Sequence, residues 1–461
     1  MDRRPTLEGV NPLLRQVLPD LGLDEGYAAE HLDLPAGSGL PSALPVSTLA
    51  CGSVAAAGLA GLSLRGARAG VAGQADGGRV HVDPRQVSVA FRSDQVQSVD
   101  GVQESGFAPL SGFFPAQDGW VRTHANYPHH RSRLLRALDL PGTAGRDEAA
   151  EAIAQRPAQE IEDVVTADHG IAVRVRTVGE WMASDQARAV ATHDVLAVTR
   201  EDDVAAIPLP DRPRVLDLTR VIAGPVATRT LAFLGCDVLR VDSPHLPELD
   251  PQHLDTGAGK RSTLIDLHET HARQRFHELL DSADVLVTGY RPRALEVFGL
   301  HPDELARSHP GLVVASLSAW TPSGPWGNRR GFDSIVQAAT GVSMIESADG
   351  RTPGALPAQA LDHATGYLLA AGILAALRNR SVQGGSWRVA AHLARTAHWL
   401  LQSDALDAPV ETISDVSPWT VSTRTQHGLV VQSRPAFQVG DGPREFAHVG
   451  GRWGADPAEW L

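Results

Sequence analysis

Few residues in this chain could do chemistry, and one of them stands alone. In "AQALDHATGYLLAAGILAALRN", Asp362 precedes a run of Ala, Leu and Gly that holds no other acid. A carboxylate there has two uses. It can accept hydrogen bonds from the free N–H groups of a helix start. It can also act as a nucleophile, since an Asp with a pKa of about 3.9 is ionised at neutral pH and needs a stabilised oxyanion more than a partner base. Thr365 is placed to cap the same helix, which leaves Asp362 free for other work. His124, His129 and His130 cluster in "HANYPHH", but no acidic or cysteine ligand has suitable spacing, so no metal site is expected. There is no phosphate loop of the G-x-x-x-x-G-K type.

Regular elements must hold that carboxylate in place. A chain of 461 residues has length for two or three domains. Acidic residues and prolines in "REDDVAAIPLPDRPRVLDLTR", residues 200–220, mark a surface linker before a β-branched and leucine run. Beyond it, "RVLDL" predicts a strand, "IAGP" a turn with Pro225 at the first helical position, and "VATRTLAFLG" a helix that stops at Gly235. "CDVLRVD", "RSTLIDL", "ADVLVTG" and "LVVASLS" read as further strands, separated by helices in "HARQRFHELLDS" and "ALEVFGLHPDELARSH". This alternation implies an α/β fold with a mainly parallel, Rossmann-like sheet. The expected division is a leading segment over 1–99, a small α+β domain over 100–205, the large sheet domain over 206–405 and a C-terminal extension over 406–461. Residues 48–65 predict an Ala/Gly helix, and 79–91 fit strand and helix equally.

Composition narrows the partners. With 41 Lys plus Arg against 54 Asp plus Glu, the net charge is −13, which argues against nucleic acid or a basic membrane patch. Cys51 and Cys236 make neither a disulfide framework nor a thiolate metal set, and a reducing, cytoplasmic setting fits them. The start, "MDRRPTLEGVNPLLRQ", lacks the apolar core of a signal peptide. "LLAAGILAAL" and "LACGSVAAAGLAGLSL" fall short of the roughly 20 residues that span a bilayer.

A shift of 314 residues lays "TLACGSVAAAGLAGLSLR" over "DHATGYLLAAGILAALRN", with Ala50, Gly52, Ala56, Ala57 and Gly58 matched by Ala364, Gly366, Ala370, Ala371 and Gly372. Both copies run into a Gly-Gly turn, "GGRVHV" and "GGSWRVA". Shared composition or convergent helix packing would give such matches, and partial duplication is the favoured reading, under which Thr48 stands where Asp362 stands.

From residue 212 the chain resembles the large domain of the class III (CaiB/BaiF-type) coenzyme A transferases, CoA-transferase family III. The likeness rests on "VLDLTRVIAGPVATRTLAFLGCDVLRVDSP", "GKRSTLIDL", "ADVLVTGYRPRALEVFGL", "HPGLVVASLSAWTPSGPWGNRRGFDSIVQAATG" and "LDHATGYLLAAGILAALRNR", in the family's order and spacing. Residues 105–200 resemble the family's small domain, which here precedes the large one instead of following it.

The resemblance implies a CoA transferase with Asp362 as its catalytic aspartate, passing through an aspartyl anhydride and an enzyme-CoA thioester. Acyl-CoA and a small carboxylic acid would be the substrates, with no permanently bound cofactor. Ile222, Ala223, Gly224 and Pro225 match the family's nucleotide turn, while Lys260, Arg291 and Arg330 match contact positions in its CoA channel. Gly106 and Gly112 in "ESGFAPLSG" fall where a glycine loop covers the site. A homodimer, in the family an interlocked one, is implied as well. Two other readings share the fold. One is a non-catalytic CoA-binding or assembly protein, to which departures at Ile222, Ser243 and Gly289 point. The other is an α-methylacyl-CoA racemase-like enzyme, for which Phe332 stands where a basic His is expected.

Overall fold

The computed structural model describes residues 10–68, 78–104, 106–291, 293–411 and 413–461. The "MDRRPTLEG" start read for a signal peptide, and Ser105 of the glycine loop, lie outside the described residues. A seven-stranded mixed sheet forms the centre, in the order Arg261–Leu264, Asp237–Asp242, Arg214–Leu218, Val285–Thr288, Val313–Ser318, Trp387–His392 and Ala197–Arg200. The first six strands are parallel, and the last pairs antiparallel with Trp387–His392 through Val389 opposite Val198. The inner strands are near-continuous runs of Val, Leu and Ala because both faces are covered. Strand progression reverses between Arg214–Leu218 and Val285–Thr288, and ligands of open α/β sheets bind outside the carboxyl ends at such a point.

Two long helices lie against one another on this sheet, Val46–Arg68 and Ala360–Gln383. At 23 and 24 residues they exceed the lengths expected from their apolar runs and are long and apolar enough to cross a membrane, yet here both are buried within the protein. A helix apolar all round must be covered all round. Ala360–Gln383 is covered by Val46–Arg68, by Trp387–His392 and by the helix Ala223–Phe233. The last approach needs Gly366, where a Cβ would collide with the Ala223 carbonyl oxygen.

The helix after "RVLDL" starts at Ala223, so Pro225 is its third residue and not its first. Either place spends only an N–H that has no partner in a first turn. The helix expected in "ALEVFGLHPDELARSH" is broken into a 3-10 turn, Glu296–Phe298, and a helix, Pro302–Ser308, by left-handed Gly299 and by Pro302. Residues 79–91 resolve into strand Val80–His81 and helix Pro84–Phe91.

Residues 106–191 contain a three-stranded antiparallel sheet, Gly112–Ala116, Gly119–Thr123 and Ala172–Arg174, with helices over it and a core of its own around Phe114, Val121, Leu134 and Ile161. Strand Ala197–Arg200, before the expected boundary at 205, belongs to the large sheet. The C-terminal residues return to the front of the chain: Gln438–Val439 pairs with Val80–His81, and Gly428–Ser433 with Ser98–Val99.

Candidate active site

Asp362 is the third residue of Ala360–Gln383 and 6 % exposed. It does not cap its helix. Asp333, at the start of helix Asp333–Thr340, does so instead by accepting the Asp362 N–H at 2.9 Å, and Gln337 holds Asp333 in place. Thr365 does not cap either, because its hydroxyl pairs with Thr396 at 2.8 Å inside the core. The Asp362 side chain is thus left without a local hydrogen-bonding duty.

It is not an ordinary ionised carboxylate. Burial raises its pKa well above the usual range, and the Asp333 and Asp94 charges push it the same way. Asp333 itself is raised to about 6, chiefly by burial. The expectation that Asp362 ionises as an ordinary aspartate without help is corrected here: burial disfavours its anion, and no Lys or Arg among the described residues pairs with it to offset that.

Asp362 faces a cavity of about 320 Å³ at the carboxyl ends of the sheet strands. Leu218, Gly289, Leu317 to Ala319 and Leu393 form its floor, each at or just past the end of a strand. Tyr127, His129 and His130 close it from the small sheet's side. Of the positions expected around CoA, Ile222, Ala223, Arg291 and Arg330 line this cavity together with Asp362. Gly224, Pro225 and Lys260 do not. Gly224 lies against Thr219, where a Cβ would collide. Lys260 is 3 % exposed behind the turn, with Nζ donating to Asp217 at 3.1 Å, to the Thr228 hydroxyl at 2.9 Å and to the Pro225 carbonyl at 3.3 Å. Burial lowers its pKa to about 8 against the pull of Asp217. Lys260 therefore holds the base of the Ala223–Phe233 helix, and the role expected for it as a channel cation is corrected to a structural one.

The turn is held in a strained form. Val221 has φ +70°, which costs a β-branched residue about 1–3 kcal/mol and persists only where neighbours fix it. Glu248 supplies that hold: it accepts the Val221 N–H at 3.3 Å, pairs with Arg240 at 2.8 Å and Arg220 at 3.5 Å, and takes the Tyr127 hydroxyl proton bond. Despite burial, Arg240 and Arg220 keep its pKa down at about 2. Glu248, Arg220, Tyr127 and Asp333 went unrecognised in the sequence. Tyr127 and Asp333 lie inside segments quoted for the resemblance, but Glu248 sits in an unpatterned loop.

The histidines of "HANYPHH" come into ring contact, His129 to His130 at 4.1 Å, and His124 stacks on Phe332 at 3.8 Å. Burial holds His124 and His130 neutral, near 3 and 2. Among the described residues no group of three or more His, Cys, Asp or Glu is arranged to hold a metal ion.

Residues 211–449 match the family model described as CoA-transferase family III. The chain is 36 % identical over 184 residues to a probable fatty acyl-CoA transferase of Mycobacterium tuberculosis, covering 37 % of this chain and 47 % of that one. It is 30 % identical over 327 residues to an acetyl-coenzyme A transferase of Hypoxylon pulicicidum, covering 64 % and 55 %. It thus spans about half the length of these curated relatives. A crystal structure of a hypothetical protein from M. tuberculosis aligns with a TM-score of 0.38 at 34 % identity, covering 42 % of this chain and 57 % of the other.

Proposed function

The chain belongs to CoA-transferase family III, and from that premise we propose that it moves coenzyme A from an acyl-CoA to a carboxylic acid with Asp362 as the nucleophile. One Asp362 oxygen attacks the thioester carbonyl and the C–S bond breaks, giving an aspartyl anhydride and CoA thiolate. The thiolate attacks the aspartyl carbon and expels the first acid, leaving an enzyme-CoA thioester. The incoming carboxylate then attacks that thioester, and the thiolate returns to its acyl carbon to free the new acyl-CoA and Asp362. A carboxylic acid cannot begin this sequence, so Asp362 must first lose its proton.

The observation that carries the proposal is the meeting of Asp362 with the Ile222–Ala223 turn, Arg291 and Arg330 around one cavity. A buried carboxyl, a helix start and two guanidinium groups without an ion pair among the described residues suit a thioester at one end and phosphates at the other. Gly224, Pro225 and Lys260 support the turn from behind.

Further parts of the proposal are that the sheet is Rossmann-like in its binding role, that residues 100–205 act as a small domain over it, and that the setting is cytoplasmic. A homodimer would hold two separate sites, since both walls of the cavity come from one chain.

Intact-protein mass after incubation with acyl-CoA tests the mechanism. One CoA adduct per chain is expected, released by hydroxylamine and mapped to the Asp362 peptide, and Asp362→Asn should show neither adduct nor transfer. An adduct that survives in that variant would mean another nucleophile.

A further inference from the structure

Attack by Asp362 puts a negative charge on the thioester oxygen before the C–S bond breaks, and that charge needs a hydrogen-bond donor already in place. Most polar side chains around the cavity have committed theirs. Tyr127 gives its hydroxyl to Glu248, Ser318 gives its own to the Trp320 carbonyl, and Arg220 and Arg329 pair with Glu248 and Glu162. His130 lines the same cavity, is 5 % exposed, and makes no side-chain hydrogen bond among the described residues.

Its ring is held in place. It is the third residue of helix Pro128–Ala137, and four rings stand steeply inclined to it: His129 at 4.1 Å, Tyr127 at 5.6 Å, Phe332 at 5.8 Å and His124 at 6.2 Å. Phe332 precedes Asp333, which holds the Asp362 N–H, so the wall that carries His130 abuts the segment that positions the nucleophile. Burial decides which nitrogen bears the proton. Nδ1 is sealed and has no partner. A proton there would strand a donor, and orphaned N–H groups are rarer in folded chains than idle acceptors. The proton therefore belongs on Nε2, the nitrogen left to meet the cavity. Burial, then His129 and His124, hold the ring neutral. An imidazolium would protonate the CoA thiolate, which must stay an anion to attack the aspartyl carbon. A neutral N–H polarises a carbonyl and keeps its proton.

We propose that His130 is a catalytic residue of the CoA transfer. Its Nε2–H donates to the thioester oxygen as one Asp362 oxygen attacks the carbonyl carbon and the π pair moves onto that oxygen. The pair returns as the C–S bond breaks and the thiolate leaves, and no proton changes hands. This rests on the CoA-transfer reading and adds to it the group that stabilises the developing charge.

Two substitutions separate the donor from the ring. His130→Phe keeps the ring contacts and removes the donor, whereas His130→Gln keeps a neutral donor and removes the ring. The single-turnover rate of CoA adduct formation should fall about 100-fold or more in His130→Phe, as loss of one oxyanion donor does. Acyl-CoA binding by calorimetry should stay within about threefold of the parent, and the His130→Gln rate within about tenfold. A packing role predicts the reverse order of the two variants, and that order would overturn the proposal. A second readout needs no turnover. In the Asp362→Asn chain, infrared difference spectra of bound acetyl-CoA labelled at its carbonyl carbon should place the stretch at lower frequency than in water, and adding His130→Phe should abolish the shift. Where His130→Phe does not fold, His130→Met serves as the donorless variant in both measurements. An unshifted stretch, or one that the donorless variant leaves in place, would mean that another group faces the oxygen. The two readings fail separately: a polarised carbonyl without any adduct refutes transfer, whereas an adduct that forms as fast without the donor refutes the role of His130.

Discussion

The raised pKa of Asp362 sets the pH behaviour of the proposed chemistry. An ordinary aspartate would be fully ionised above pH 5 and its attack flat from there upward. Here burial, Asp333 and Asp94 all disfavour the anion, so the nucleophilic fraction is still rising where that of a free aspartate has levelled off. The rate of CoA adduct formation should therefore climb between pH 5 and pH 8. Asp94→Asn removes one of the repelling charges, lowers the Asp362 pKa and shifts the profile toward acid: faster than the parent at pH 6, equal to it on the alkaline plateau. Single-turnover mass measurements across pH check this, and an unshifted profile would remove Asp94 from the electrostatics of the site. The sequence identified Asp362 by the resemblance around it, but its ionisation was not legible, because Asp94 and Asp333 lie 268 and 29 residues away along the chain. Lys260 shows the same limit from the other side. Its position matched a channel cation, while the Asp217 carboxylate that claims it became visible only when strand and helix were stacked.

At the scale of elements, the two long helices solve one problem in two ways. Each has an N-terminus whose first N–H groups need acceptors. Ala360–Gln383 takes Asp333 from the adjoining helix. Val46–Arg68 takes Asp407, which accepts the Ser47 N–H, the Thr48 N–H and the Thr48 hydroxyl at 2.7–2.8 Å. Thr48, which stands where Asp362 stands in the other helix, donates to the cap, so the acid at this second helix mouth comes from the C-terminal extension. Asp407→Ala should cost about 2 kcal/mol, as a lost charged cap does, and Thr48→Ala about 1 kcal/mol, measured by denaturant unfolding. Equal stability of Asp407→Ala and parent would show that water replaces the cap. Five of the seven strands of the central sheet were legible, four of them to within two residues, because parallel strands covered on both faces are written as Val and Leu runs. The Pro302–Ser308 helix was not, since a left-handed glycine can end a helix or sit within a longer pattern with the same neighbours.

For the whole molecule, the consequence lies in connectivity. The cavity takes its lid residues from 127–130 and its floor from 218–393; strand 80–81 is completed by 438–439 on the side away from 32–33, and strand 98–99 pairs with 430–431. The family likeness made the central sheet readable, but the return of the C-terminal residues to the first hundred had no local signature, because each of those pairings is only two residues long. The same arrangement weighs on synthesis. Val46–Arg68 emerges from the ribosome about 290 residues ahead of the helix that covers it, and at about 5–20 residues per second that is a wait of about 15–60 s. Throughout that interval a 23-residue apolar helix, long enough to be mistaken for a membrane anchor, lacks its long partner and has only short neighbours such as Pro12–Val17 and Pro84–Phe91 to cover it. Nascent chains arrested near residue 300 should be bound at residues 46–68 by chaperones or membrane-targeting factors, detectable by crosslinking, and should shed them once residue 383 has cleared the exit tunnel.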